Sequence, residues 1–436
     1  MDYKMKDSGV EWIGKIPDDW HVTRLKDVTL FKTGGTPPES IGVNSDGIGI
    51  RWFKPADFKK DSLHLDHTEY HISDEVIKSE RIQTFPGNSV LLVGIASIGK
   101  IGFTKDLSYS NQQITGLIDK GLNFPKFTAY SVFAMTDFIR NTALYTVVPI
   151  VNNQYLSTLK IAYPDFKEQT KIAGFLDDKI SQLDAIIEKS KASIEKLQAY
   201  RKSVIYEAVT KGLNETAPMK DTGIEWIGEI PVGWEISKIK YLGEYFNGLT
   251  YDPDDMTEDS GTIVLRANNI QNGKLIFNEE VCIDMKIPNK LKLRKDDILI
   301  CSRNGSRRLI GKNALVTDDF SGLTFGAFNM VCRSDMSAYL YYVLNSDVFN
   351  SQLSGVLTST INQLTGQNFG SMVVPNPPLT DQKAIVDYLD TKTSEIDSAI
   401  NKLNQLIDTT EKTKKSIIYE YVTGKKRVPD FNTGGV

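Results

Sequence analysis

Cysteine is scarce in this chain. Three occur among 436 residues, Cys282, Cys301 and Cys332, all in the second half. They form no CxxC pair and have no histidine near them in sequence, which argues against a disulfide framework and a structural zinc site. Histidine is equally sparse, at four: His21, His64, His67 and His71. The last three have the spacing of ligands on one helix face, but Leu63, Leu65, Tyr70 and Ile72 around them read as strand or loop. No metal site is expected there. Long apolar runs are missing too. Nothing approaches the ~18–20 uncharged apolar residues of a membrane helix. Met1-Asp2-Tyr3-Lys4 opens without the apolar core of a signal segment. A cytoplasmic protein with no membrane partner is expected. Positive charge is not in excess either: 51 Lys and Arg face 55 Asp and Glu, a formal net charge of −4. Free-standing nucleic-acid binders are usually basic. Any such role here needs Lys and Arg concentrated locally, or positive surface from a partner.

The length allows two to four domains, and 40% hydrophobic with 24% charged residues is ordinary for a globular chain. The organisation is a duplication. Met5-Lys6-Asp7-Ser8-Gly9-Val10-Glu11-Trp12-Ile13-Gly14-Lys15-Ile16-Pro17 recurs 214 residues later as Met219-Lys220-Asp221-Thr222-Gly223-Ile224-Glu225-Trp226-Ile227-Gly228-Glu229-Ile230-Pro231, and Trp20 matches Trp234. A second block repeats at an offset of 213. Glu168-Gln169, Phe175-Leu176-Asp177 and Leu183-Asp184 match Asp381-Gln382, Tyr388-Leu389-Asp390 and Ile396-Asp397. Ile205-Tyr206-Glu207 and Val209-Thr210 match Ile418-Tyr419-Glu420 and Val422-Thr423. The chain therefore reads as globular region, helix, globular region, helix.

The helices announce themselves by period. Leu183, Ile187, Ile194, Leu197, Val204 and Ala208 fall at spacings of three, four or their sums, with no proline between Lys167 and Thr210. That is a heptad seam, and Gly212 stops it. Leu389, Ile396, Ile400, Leu403, Ile407, Ile417 and Tyr421 form the matching seam, ended by Gly424. At 1.5 Å per residue a helix of this length spans roughly 66 Å, too long for one small domain. Two such helices separated by a returning domain pair most simply with each other, antiparallel. The globular regions read as mixed α/β. Ser89–Val93 and Asp297–Ile300 are buried-strand runs, whereas Leu25–Phe31 and Ile239–Phe246 fit helix or strand. The expected division is residues 1–165 as a first globular domain, 166–213 as a first long helix, 214–378 as a second domain, 379–424 as a second helix and 425–436 as a frayed tail. The basic run Lys425-Lys426-Arg427 of that tail is a minor DNA-contact candidate.

Two motifs resemble catalytic signatures and fail them. Gly94-Ile95-Ala96-Ser97-Ile98-Gly99-Lys100-Ile101 nearly spells a P-loop, but Ile101 stands where magnesium binding needs Ser or Thr. Asn376-Pro377-Pro378-Leu379 approaches the Asn-Pro-Pro-aromatic motif of DNA amino-methyltransferases, but Leu379 cannot stack on a flipped base. No Ser-His-Asp, paired-carboxylate or Cys-His constellation stands out. No catalytic residue and no cofactor is expected.

Base reading needs Arg or Lys for guanine and Asn or Gln for adenine. The first region offers Thr36, Arg51, Lys54, Ser97, Lys100, Asn111, Gln112 and Gln113. The second offers Arg266, Asn268, Asn269, Arg303, Asn304, Ser306, Arg307, Arg308 and Lys312. The sharpest group is the basic, glycine-containing loop Arg303–Arg308 directly after a buried strand. Thr33-Gly34-Gly35-Thr36-Pro37 faces Asn247-Gly248-Leu249-Thr250-Tyr251, and Arg51–Asp57 faces Ile263–Asn269. One scaffold therefore carries two different surfaces.

Together these features resemble the specificity subunit of type I restriction–modification systems. The repeated Lys-Asp-Ser/Thr-Gly-Val/Ile-Glu-Trp-Ile-Gly openings at Lys6 and Lys220 carry most of the likeness. Gly94–Lys100, Glu168-Gln169 and the helix ends at Tyr206 and Tyr419 add to it. The resemblance implies two target-recognition domains, each reading half of a split, asymmetric site on double-stranded DNA. It implies paired helices that fix the gap between half-sites and dock two modification subunits, which bind the methyl donor and methylate adenine. Restriction subunits would add translocation and cleavage. The two readers would then sit about one helical turn apart, roughly 10 bp. Partner subunits clamping the phosphates would explain the acidic balance. Three other readings remain at this point: the specificity subunit of a related system whose modification and cleavage share one partner chain, a protein scaffold with no DNA role, and an enzyme with a degenerate P-loop or methyltransferase motif.

Overall fold

The computed structural model describes residues 4–37, 45, 47–73, 77, 84–143, 150–257, 261–357 and 362–429. Contacts divide the chain into two units, Met1–Ser190 with Asn404–Val436, and Lys191–Leu403.

In the first unit, Met5–Asp7 pairs antiparallel with Lys15–Pro17. The turn between them follows from its residues: the Asp7 carboxylate accepts from the Gly9 N–H at 3.0 Å, and Gly9 and Gly14 take the left-handed φ that glycine allows. The hairpin sends Ile13, Ile16 and Trp20 into the core. The central sheet is antiparallel, in the order Thr29–Thr33, Ile114–Asp119, Val90–Val93, Ile101–Phe103. Val90-Leu91-Leu92-Val93 is apolar throughout because both of its faces are covered. Val90 and Leu92 enter the main core, whereas Leu91 and Val93 point to the opposite cluster with Phe53, Phe58 and Phe85. Each such side chain contributes about 1.5–3 kcal/mol. Across that second cluster, Ile50–Phe53 runs parallel to Ser108–Ser110.

The second unit repeats the plan. Met219–Asp221 pairs with Glu229–Pro231. The sheet order is Glu244–Asn247, Asn329–Arg333, Ile298–Cys301, Asn313–Leu315. Ile298 and Ile300 face one core and Leu299 and Cys301 the other, and Thr262–Leu265 runs parallel to Thr324–Phe325. The two stretches that fit either helix or strand contain both. Leu25–Val28 is one helical turn before Thr29–Thr33, and Ile239–Tyr241 is a 3-10 turn before Glu244–Asn247.

The long helices are Phe166–Lys211 and Leu379–Val422. In the first unit the start of one runs antiparallel to the end of the other: the Phe175 and Tyr421 rings lie 4.5 Å apart, and Lys414 Nζ donates to the Asp184 carboxylate at 2.6 Å. In the second unit Arg201 lies 3.2 Å from Asp397, while Gly212 lies alongside Asp381 and Ile385. Of the heptad residues, Ile187, Val204, Leu389 and Ile396 are buried, and Leu183, Ile194, Leu197, Ile400, Leu403, Ile407 and Ile417 are half-buried. Each helix start is locked by an indole. Trp20 donates to Glu168 at 2.9 Å, and Trp234 to Asp381 at 2.8 Å. Gly212 and Gly424 end the helices at left-handed φ.

The basic run beyond Gly424 is not frayed. Lys425 donates to the Ile13 carbonyl at 2.5 Å, Lys426 pairs with Glu420 at 3.0 Å, and Arg427 bonds Asp19. Lys425 thus holds the first hairpin, Arg427 the chain just after it, and Lys426 the end of the long helix. Asn432–Val436 lies outside the described residues. Among the described residues, no helix is long and apolar enough to cross a membrane. His71 lies on the strand His71–Ile72 and His64 in an isolated bridge, not on one helix face.

Candidate nucleic-acid interface

At one end of each central sheet, four loops and a short helix entry are joined by backbone hydrogen bonds. In the first unit Gly34 N–H donates to Ile114 O at 3.0 Å, Gly35 to Ser110 at 2.8 Å, Asn111 to Phe53 at 3.1 Å, Gly94 to Gln113 at 2.8 Å and Val151 to Gly94 at 2.8 Å. The second unit makes the same set. Gly248 donates to Asn329 at 3.1 Å, Leu249 to Phe325 at 2.8 Å, Gly326 to Leu265 at 3.0 Å, Ser302 to Phe328 at 2.9 Å and Leu364 to Ser302 at 2.7 Å. These pairs establish equivalences that differ in chemistry: Ile95 with Arg303, Gln113 with Phe328, Ile150 with Gln363, and Lys54 with Arg266. Lys54 and Arg266 each precede a 3-10 turn, Pro55–Asp57 and Ala267–Asn269. In both turns a side chain reaches back to the N-cap N–H, Asp57 at 2.7 Å and Asn269 at 2.8 Å.

The first unit brings most of its candidates to this edge. The Thr36 hydroxyl donates to Gln112 Oε1 at 2.5 Å, and Asn111 donates to Gln113 Oε1 at 3.0 Å. Lys54 Nζ lies 3.4 Å from the Tyr70 ring centroid. Lys100 Nζ donates to the Pro55 carbonyl at 3.3 Å, tying one loop to the next. Ser97 is exposed on the turn after Ala96. Arg51 stands apart, mid-strand and paired with Asp106 at 3.0 Å. A concavity of about 400 Å³ opens among Gln112, Gln113, Asn152, Asn153, Gln154 and Thr115.

In the second unit the candidates separate into holders and free ends. Asn269 is 1% exposed, and its amide donates to Ile276 O at 3.1 Å and Asn278 O at 3.0 Å. It organises the loop and cannot reach a base. Arg266 donates to Glu279 O at 2.5 Å, and Asn268 donates to Glu279 Oε2 at 3.3 Å. Asn304 accepts from the Ser306 N–H at 2.9 Å. Arg307 bridges Ser354 O at 3.3 Å and Leu357 O at 3.0 Å. Arg303 and Arg308 are exposed, and among the described residues neither has a carboxylate partner. Arg303 lies over Phe328, 5.2 Å from its ring centroid. Lys312 closes the loop, its carbonyl accepting from Cys301 at 2.8 Å. Asn269→Ala should lower stability by about 1–3 kcal/mol, because the Arg266 N–H and two carbonyls lose a buried partner. Urea denaturation of the full chain measures this, and an unchanged midpoint would refute the holding role.

The comparison with known families decides what the chain belongs to. The model of the Type I restriction modification DNA specificity domain matches residues 17–196 and again residues 231–408. The chain belongs to this family. It is 25% identical over 435 residues to the type I restriction enzyme MjaVIII specificity subunit of Methanocaldococcus jannaschii, covering 96% of this chain and 95% of that one. Against the EcoKI specificity subunit of Escherichia coli K12 it is 28% identical over 206 residues, 45% of this chain and 44% of that one. A solved chain from work on assembly and conformational transition of the type I R–M system shares the fold, with a TM-score of 0.70 at 13% identity, covering 94% of this chain and 99% of that one. The resemblance read from the sequence holds, as does the mixed α/β duplication. Membership of this family makes DNA sequence recognition the business of the chain.

Within that family frame, the two near-catalytic motifs have structural explanations. Gly99 and Gly311 both take left-handed φ, and their N–H groups return to Val93 O at 3.2 Å and Cys301 O at 2.8 Å. The shared Ile-Gly-Lys is a turn that leads into a strand, where a P-loop would lead into a helix. Asn376-Pro377-Pro378 ends a strand and opens the second long helix, with Gln382 donating to Pro377 O at 2.8 Å. Gln169 does the same to Pro164 O at 3.0 Å. Sequence reasoning missed Phe328, Gln363, Asn152 and Gln154. The amide run Asn152-Asn153-Gln154 was a visible signal. Phe328 was not, because a phenylalanine beside a strand reads as core.

Proposed function

We propose that this chain is the sequence-reading subunit of a type I restriction–modification complex, without a catalytic centre of its own. Residues 1–165 and 214–378 act as target-recognition domains, each reading one half of a split, asymmetric site. The observation that carries this is the pair of equivalent loop edges: the backbone frame is the same, and the side chains it presents differ. Identical frames put two readers to the same task, and different side chains give them different half-sites. The paired helices set the spacer and dock two modification subunits that methylate adenine, with restriction subunits joining them. Those partners supply phosphate-binding surface that a chain of net charge −4 lacks. Such a complex works on DNA in the cytoplasm.

The test is single-molecule methylation sequencing of a methylation-free host that expresses this chain with its cognate modification subunit, beside a modification-only control. A split, asymmetric adenine-methylated motif that requires this chain is expected. A continuous or palindromic motif overturns the two-reader arrangement, and an unmethylated genome despite an intact complex overturns the assignment.

A further inference from the structure

Arg303 and Phe328 form a unit whose features are explained by neither the core nor the loop. Phe328 is 60% exposed, so it adds little to burial. Its carbonyl nevertheless fixes the base of the loop, accepting from both Ser302 and Arg303 N–H groups at 2.9 Å. A bridge to Gln363 holds Arg303 on its other side. The backbone beneath the Arg303 side chain is thus pinned twice, and the guanidinium lies over an exposed ring, 5.2 Å from its centroid. The loop's other anchor is Arg307, whose guanidinium is occupied by two carbonyls. Among the described residues, Arg303 has no carboxylate partner to neutralise it. An arginine stem carries much rotamer entropy, and resting it on an aromatic face reduces what is lost when its fork engages a partner.

We infer that Arg303 reads a guanine in the half-site of the second domain, with Phe328 as the positioning residue that aims it. This rests on the DNA-reading function proposed above and assigns the chemistry of one contact. The guanidinium fork matches the O6 and N7 acceptors that guanine shows in the major groove in one rigid plane, which a lysine ammonium on its flexible stem meets with less fixed geometry. The first domain cannot make this contact at the same place. Ile95 and Gln113 occupy the equivalent positions, and Gln112, Gln113 and Gln154 line its concavity. The guanidinium contact therefore belongs to one half-site alone.

The experiment uses the full chain with its modification subunits and compares wild type with Arg303→Lys, Arg303→Gln and Phe328→Leu. The wild-type motif is first obtained by methylation sequencing. Each variant should then relax the motif at a single G·C pair in one half-site, leaving the other half unchanged as an internal control for folding and assembly. In competition binding, replacing that guanine by adenine should weaken wild type roughly 5- to 150-fold; 7-deazaguanine, which lacks only N7, should weaken it by less and leave Arg303→Gln nearly indifferent. Phe328→Leu should keep the preference but reduce its size, which a purely structural loss of affinity would not do. Motifs identical to wild type in both Arg303 variants overturn the inference, as does relaxation in both half-sites. A wild-type complex that methylates nothing overturns the function on which it rests. A split wild-type motif that Arg303 variants leave intact overturns this contact alone.

Discussion

Trp20→Ala should lower the stability of the first unit by about 3–5 kcal/mol, near the top of what one core side chain contributes. The indole is 1% exposed and packs in the core that also holds Ile13, Ile16 and Ile172. Its Nε1 donates to Glu168, at the start of a long helix, at 2.9 Å. Burial pushes the Glu168 carboxyl above the usual carboxylate range, and the indole opposes that shift. A group with a raised folded pKa lowers stability as pH climbs from its unfolded to its folded value. Removing the indole raises the folded value further, so the Trp20→Ala deficit should be larger at neutral pH than below about pH 4. Calorimetry at both pH values tests this. An equal deficit at both would show that the indole acts by volume alone, and a wild-type melt would refute both parts.

Asp297→Ala should be nearly as severe in the second unit, about 3 kcal/mol, at the low end for a broken buried pair because the stranded Arg333 cation keeps partial access to solvent. Asp297 is 1% exposed. It accepts from Arg333 Nε and Nη2, both at 2.7 Å, and from the Arg294 N–H at 2.9 Å. The Arg333 pKa is raised by that hydrogen bond. Replacing both partners, Asp297→Ala with Arg333→Met, should recover much of the loss, since a well-packed apolar pair can match a buried ion pair. Urea denaturation of both variants decides it: if the double variant is no more stable than the single one, the deficit comes from the turn at Arg294 and not from the orphaned charge.

Much of this architecture was legible in the residues. The hairpins repeat nearly letter for letter, the helices carry a heptad period, and Val90–Val93 is apolar at every position because two cores need it. What stayed hidden depended on pairings hundreds of residues apart. Lys414 meets Asp184 and Arg201 meets Asp397 inside the helix pairs, yet each reads in sequence as a solvated charge. The repeat held the clue, since Asp184 and Arg201 recur 213 residues later as Asp397 and Lys414. At the candidate interface, residue type identified the loops but not the division of labour within them. Asn269 and Arg307 have the composition of readers and the bonds of structural residues, and only the positions of Ile276, Asn278, Ser354 and Leu357 reveal it.

The first unit is not continuous along the chain. Its core takes Ile172, Leu176 and Ile180 from one long helix and Ile418 and Val422 from the other, with residues 191–403 between them forming the second unit. A ribosome delivers this chain from the N-terminus at ~5–20 residues per second, so the apolar stripe around Leu176 waits on the order of 10–50 s for its cover. The second unit, emerging later but complete in itself, can close first. The unit that begins first is therefore the last to have all of its core residues synthesised. The nascent first half is the stage at which chaperones have most to shield, and slowed translation between the helices would lengthen that exposure.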